Sequence, residues 1–131
     1  MKIESDFWKR MKKMFLADWL ERHENKVGSG TPDVHFMHRK NPGWIELKFE
    51  EKFPSRIDFQ PGQPLWLYEY AKKGGRCFVF LYVKAEKSVY VWHGRDAIAL
   101  NLPGGAKETK PFMVFDDERD SWEAVLDVVA A

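Results

Sequence analysis

The chain has 131 residues, 44% of them apolar and 15% aromatic, which fits one folded domain and excludes both intrinsic disorder and a chain of two domains. Its formal net charge is +1, but residues 116–131 carry six acids and one Arg (−5), leaving 20 Lys and Arg against 14 Asp and Glu (+6) in residues 1–115, a balance that suits a phosphate-bearing partner but on charge alone reads first as an ordinary mixed-charge surface. The longest apolar run, Cys77 to Val83, is seven residues and too short for a membrane span, and the single Cys77 excludes a Cys-based zinc cluster within one chain. No apolar run follows the N-terminus, so no signal peptide is expected, and a lone thiol inside an apolar run points to a reducing, cytoplasmic setting.

In chain order, Phe7, Trp8, Met11, Met14 and Phe15 recur at spacings of three and four and predict a helix over residues 3–16. Lys9, Arg10, Lys12 and Lys13 fill its polar side. Glu4 lies three and four residues before Phe7 and Trp8, so it either points along the apolar face or complements the positive end of the helix dipole. Residues 18–27 read as a continuation of that helix or as a strand, with a strand around Leu20 to Val27 preferred. Residues 33–37 predict a strand, Arg39 to Gly43 a turn, and residues 44–50 a second strand. In that second strand Ile45, Leu47 and Phe49 share one face, while Glu46, Lys48 and Glu50 share the other.

A charged loop over 51–62 ends in Pro61-Gly62, and Pro64 opens a helix running to about Lys73, with Leu65, Trp66, Tyr70 and Leu67 as its buried positions. Gly74-Gly75 stops it. Cys77 to Val83 reads as a strand buried on both faces, and Ser88 to His93 as another. A short helix follows over Arg95 to Leu102, then an exposed loop over Pro103 to Lys110, a strand over Phe112 to Phe115 and an amphipathic helix over Ser121 to Val129. This alternation predicts an α/β domain over residues 1–131, with a central mixed sheet flanked by helices.

The chemistry concentrates between Gly28 and Lys48. Asp33 opens one strand, and thirteen residues later Glu46-Leu47-Lys48 occupies the next. Two carboxylates and an ammonium on one hairpin suit phosphodiester hydrolysis, in which a divalent cation acts as Lewis acid and activates water. Mg²⁺ and Mn²⁺ take oxygen ligands, so Asp33, Glu46 and the Leu47 carbonyl form the candidate cage, and Lys48 the candidate for holding water or offsetting phosphate charge. Read alone, the same three side chains describe a cross-strand salt bridge before they describe a catalytic site. His35 shares strand parity with Asp33, but His35 and His38 read as structural or phosphate-contacting, because a hard cation disfavours imidazole. Lys9, Lys12, Lys13, Arg39, Lys40, Lys52 and Arg56 are candidate backbone contacts for nucleic acid.

The order Gly30-Thr31-Pro32-Asp33, Trp44-Ile45-Glu46-Leu47-Lys48, Gln63, a helix ending at Gly74-Gly75 and the strand Arg76 to Tyr82 resembles the PD-(D/E)xK nuclease superfamily. Within it, the pattern is similar to the VRR-NUC and archaeal Holliday junction resolvase branch, including small stand-alone phage nucleases. The resemblance spans about residues 28–83. It implies a restriction-endonuclease-like core, Mg²⁺ or Mn²⁺ on Asp33 and Glu46, a Lys48 that assists water, and a Gln63 that helps organise the site, with Gln60 as the alternative. It also implies an acid on the first helix, for which Glu4 fits by position, with Glu21 and Glu24 as rivals. The implied function is a metal-dependent deoxyribonuclease, an endonuclease of branched DNA being one form, that works as a homodimer. The competing expectation is a catalytically silent nucleic-acid-binding or assembly module on the same fold.

Overall fold

The computed structural model describes residues 4–23 and 30–131, with Glu4 described in its backbone alone. Its helices are α1 (Glu4–Met14), α2 (Gln63–Lys72), α3 (Ala97–Leu100), α4 (Gly105–Glu108) and α5 (Arg119–Val129). Its strands are β1 (Trp19–Arg22), β2 (Val34–His38), β3 (Asn41–Glu50), β4 (Cys77–Val83), β5 (Ser88–His93) and β6 (Met113–Asp116). The six strands form one sheet in sequential order. Every neighbouring pair is antiparallel except β3 and β4, which run parallel. A parallel neighbour requires the chain to return to the starting end of the sheet, and residues 51–76, which contain α2, make that return. The result is the α/β class expected from the sequence: a mixed sheet flanked by helices.

Strand alternation sorts the side chains onto two faces. Ile45, Leu47, Phe78, Phe80, Val89 and Val91 meet Phe7, Met11 and Phe15 of the first helical segment and Trp122, Val125 and Val129 of α5. On the opposite face Val79, Leu81, Val83 and Trp92 meet Leu67 of α2, Ile57, Ala97 and Leu100. All seven residues of β4 are buried, as a central strand covered on both sides requires. The Cys77 thiol donates to the Leu67 carbonyl, and burial pushes it up to about 12, which fits a packing role. Among the described residues no helix is long and apolar enough to cross a membrane.

Several boundaries differ from expectation. β1 covers Trp19–Arg22; residues 24–27, the rest of the strand expected there, lie outside the described residues. The β2–β3 turn needs only Arg39 and Lys40, both at positive φ (49° and 70°), the form that matches the twist of a tight hairpin. Pro42 and Gly43, expected in the turn, belong to β3. Pro42 precedes the point where β4 joins at Trp44, and Gly43 sits opposite Phe36, whose ring takes the space a Cβ would need, 2.4 Å away. In α2, Leu65 is 58% exposed and Leu67 fully buried, because the inward face is set by Gln63 and Leu67 four residues apart.

The loop expected over Pro103 to Lys110 contains α4, and it is pinned. The Gly104 N–H donates to Ser55 Oγ and the Ala106 N–H to the Ser55 carbonyl. A Cβ on Gly105 would fall 1.9 Å from the Ala99 carbonyl oxygen. Gly105→Ala is therefore expected to destabilise the protein by about 1–3 kcal/mol, read as a lower urea midpoint at unchanged slope.

Candidate active site

The register of the hairpin builds the site. Val34 pairs with Ile45, so one step further along Asp33 lies across from Glu46. They are locked reciprocally: the Asp33 N–H donates to Glu46 Oε1 (3.2 Å), and the Leu47 N–H donates to Asp33 Oδ2 (3.1 Å). Pro32 has no N–H with which to continue the ladder past Val34 and Ile45. Lys48 Nζ stands 3.2 Å from Glu46 Oε2, and its other side faces the Phe59 ring, 5.0 Å from the centre. Strand parity thus places Glu46 and Lys48 together, as the sequence implies.

These are buried groups: Asp33 is 8% exposed, Glu46 2% and the Lys48 side chain 12%. Burial raises the Asp33 pKa, partly opposed by the Leu47 N–H, by the charges of Lys48 and Arg22, and by a hydrogen bond with the Glu46 carboxyl. Two carboxyl groups in such contact are stable together only if a proton or a cation lies with them. Glu50, on the same strand face, is also raised, first by burial and then by Asp58, while Lys48 opposes this.

Gln63 is the first residue of α2 and 1% exposed. Its Oε1 accepts from the Gln60 N–H, while its buried Nε2 has no hydrogen-bond partner among the described residues. Gln60 therefore supports Gln63 and is itself exposed. The start of α2 is held against the segment leading to Asp33 by close backbone packing: a Cβ on Gly30 would lie 2.8 Å from the Gly62 carbonyl oxygen. An orphaned buried amide at a polar site is a donor left for a water or a ligand.

Among the described residues no group of three or more His, Cys, Asp or Glu could hold a metal ion. Two carboxylates are present, together with main-chain oxygen. The Leu47 N–H leaves β3 toward Asp33, and its carbonyl leaves a strand on the same side as its N–H. This all-oxygen set suits a hard divalent cation that retains several waters. For the third acid, the Glu4 side chain and all of Glu24 lie outside the described residues. Glu21 is on the site's face of β1, with Oε1 2.8 Å from His23 Nε2.

The other candidates separate. His35 is stacked on Trp44 (ring centres 4.5 Å apart, 26°) and burial lowers its pKa, so it stands as a neutral aromatic wall. His38 accepts from the Asp18 N–H near the hairpin turn. Lys9, Lys12 and Lys13 are exposed on α1, across the sheet from Glu46 and Lys48. Arg39 and Lys40 are in the turn, and Lys40 is roughly 20 Å along β3 from Glu46. Lys52 and Arg56 are exposed in the segment after β3, beyond the Lys48 end, with Arg56 3.2 Å from Asp58. Sequence reasoning passed over Arg22, His23, Phe59 and Trp66. For His23 the available signal was parity: Trp19, Glu21 and His23 alternate onto the site's face once β1 is known to pair with β2.

No family model matches the chain, and no curated protein matches it. Among solved structures it is similar to Hjc of Archaeoglobus fulgidus, a Holliday junction resolvase from an archaeal hyperthermophile, at 18% identity over 71% of this chain and 77% of that chain, with a TM-score of 0.49. What this chain does has to be read from its own side chains.

Proposed function

We propose that this chain is a nuclease that hydrolyses DNA phosphodiester bonds with Mg²⁺ or Mn²⁺, and that branched DNA is within its substrate range. The observation that carries the reading is the interlock of Asp33 with Glu46, two buried carboxyl groups in contact with each other, with Lys48 Nζ 3.2 Å from Glu46. Asp33, Glu46 and the Leu47 carbonyl would hold the cation. Bound there, it would supply Lewis acidity toward the phosphate and lower the pKa of a water. The chain's own residues do the rest. The Leu47 N–H fixes the Asp33 carboxylate, and the Asp33 N–H and Lys48 fix that of Glu46, so neither has to reorganise when substrate arrives. Lys48 Nζ carries a positive charge to the place where charge grows on phosphorus-bound oxygen and offers protons to orient the attacking water. The Gln63 amide supplies further N–H donors from the start of α2. Symmetric cutting of a junction takes two such sites, which a second copy of the chain would provide.

The test is a panel of supercoiled, linear, single-stranded and four-way-junction DNA incubated with Mg²⁺, Mn²⁺ or EDTA. Cutting of at least one substrate with metal, and of none with EDTA, is expected. Binding without cutting on every substrate would identify a silent module instead.

A further inference from the structure

A row of partly buried aromatic rings, each packed on the core along one side, leads away from the carboxylates on the same face of the sheet. Trp44 precedes Glu46 by two residues, roughly 6–7 Å along β3. Its ring is stacked with His35 and meets Trp66 edge to face, with centres 5.7 Å apart at 71°. Trp66 in turn stacks on Tyr70 at 4.9 Å and 17°, one helical turn further along α2. The row ends in a cavity of about 580 Å³ lined by Trp66, Glu69, Tyr70, Lys73 and Gly75, among others. Gly75 keeps this wall in place, since a Cβ there would lie 2.2 Å from the Tyr70 ring. The aromatic rings across the sheet (Phe15, Phe36, Phe80 and Trp122) are by contrast fully buried core.

We propose that this groove binds the unpaired bases of the DNA strand whose phosphate lies at Asp33 and Glu46; the position of that phosphate rests on the nuclease reading above. Two considerations select this occupant. The rings continue directly from the carboxylate pair along β3 and α2. At the groove Lys73 is paired with Glu69 at 3.3 Å, so what the lining offers a ligand is ring faces more than charge, which suits bases. A paired base hides its faces inside the stack, whereas an unpaired base offers a face that an indole or phenol can cover. The groove thus selects strands that are already open beside the bond to be cut: single strands, flaps or the opened arms of a branch point.

The proposal is tested on the whole chain in EDTA, where no cutting occurs, at near-physiological salt. A thymidine 12-mer and a blunt duplex are titrated while tryptophan fluorescence and complex formation are followed. The single strand is expected to quench tryptophan and to bind more tightly than the duplex. Trp66→Leu and Tyr70→Leu are each expected to weaken single-strand binding about tenfold with little effect on the duplex, and Trp66→Phe to retain most of it. Circular dichroism checks folding. If Trp66→Leu does not fold, Tyr70→Leu and Trp66→Phe decide the matter. Single-strand binding that is absent, or that is unchanged in the folded Leu variants, overturns the proposal. Ring-dependent binding without cutting in Mg²⁺ or Mn²⁺ would remove the nuclease reading and leave the groove standing; cutting without ring-dependent binding does the reverse.

Discussion

Asp33→Asn is expected to lower cutting by about three orders of magnitude or more, while leaving the metal-free protein at least as stable as wild type. The substitution keeps an oxygen for the Leu47 N–H and nearly the same volume, so the hairpin has no reason to rearrange. It removes the negative charge that a cation requires. The stability prediction follows from the pKa direction. Asp33 has a folded-state pKa above its ordinary 3.8, with burial as the largest cause. Its contribution to stability is therefore greatest below 3.8 and is lost as pH rises through the folded-state value. At pH 7 the wild-type protein carries that deficit and the Asn variant does not. The difference in melting temperature between them should shrink as pH falls toward 4, and thermal melts in EDTA across that range check it. A site that costs stability and is needed for turnover is a common exchange in enzymes.

Lys48→Met is expected to lower cutting by about 10²–10³-fold and, unlike Asp33→Asn, to destabilise the metal-free protein by about 3–5 kcal/mol. Lys48 is the cation 3.2 Å from a Glu46 that is 2% exposed, and Met fills the stem's space without the charge. Glu46 is then left buried beside Asp33 with its nearest positive charge gone. Added Mn²⁺ should recover part of the loss, since binding to the folded state alone contributes about 2.7 kcal/mol at a concentration one hundred times the dissociation constant. Urea unfolding with and without Mn²⁺ reads both effects. A variant as stable as wild type in EDTA would mean that the Lys48–Glu46 pair is not what compensates the buried carboxylate.

The hairpin was legible because strand parity is a strict rule. Once residues 44–50 alternate, Glu46 and Lys48 must share a face; that Asp33 lies across from Glu46 depends on the two-residue turn at Arg39-Lys40, shorter than the turn expected over Arg39 to Gly43. β4 is legible for a different reason: a continuous apolar run bounded by glycine and charge admits few readings besides a strand covered on both faces. What escaped was set by long-range packing. The inward face of α2 depends on the sheet below it, so of two leucines both expected to be buried, Leu67 is and Leu65 is exposed. α4 exists because Ser55, about fifty residues earlier, accepts and anchors its first turn, and no local pattern encodes that. The aromatic row was invisible because Trp44 and Trp66 sit in separate elements, and an aromatic residue in a strand or helix reads first as core. Charge alone does not say where a basic residue lies, and the fold scatters these: Lys52 and Arg56 lie beyond the Lys48 end of β3, while Lys9, Lys12 and Lys13 lie across the sheet.

Calorimetric titration of Mn²⁺ into the nucleic-acid-free protein at pH 7 reaches the central claim with fewest intervening steps. Wild type is expected to bind the ion, and Asp33→Asn and Glu46→Gln are each expected to lose that binding while remaining folded. Mn²⁺ uptake that persists unchanged in both variants, or that is missing from wild type, would contradict a cation shared by these two carboxylates.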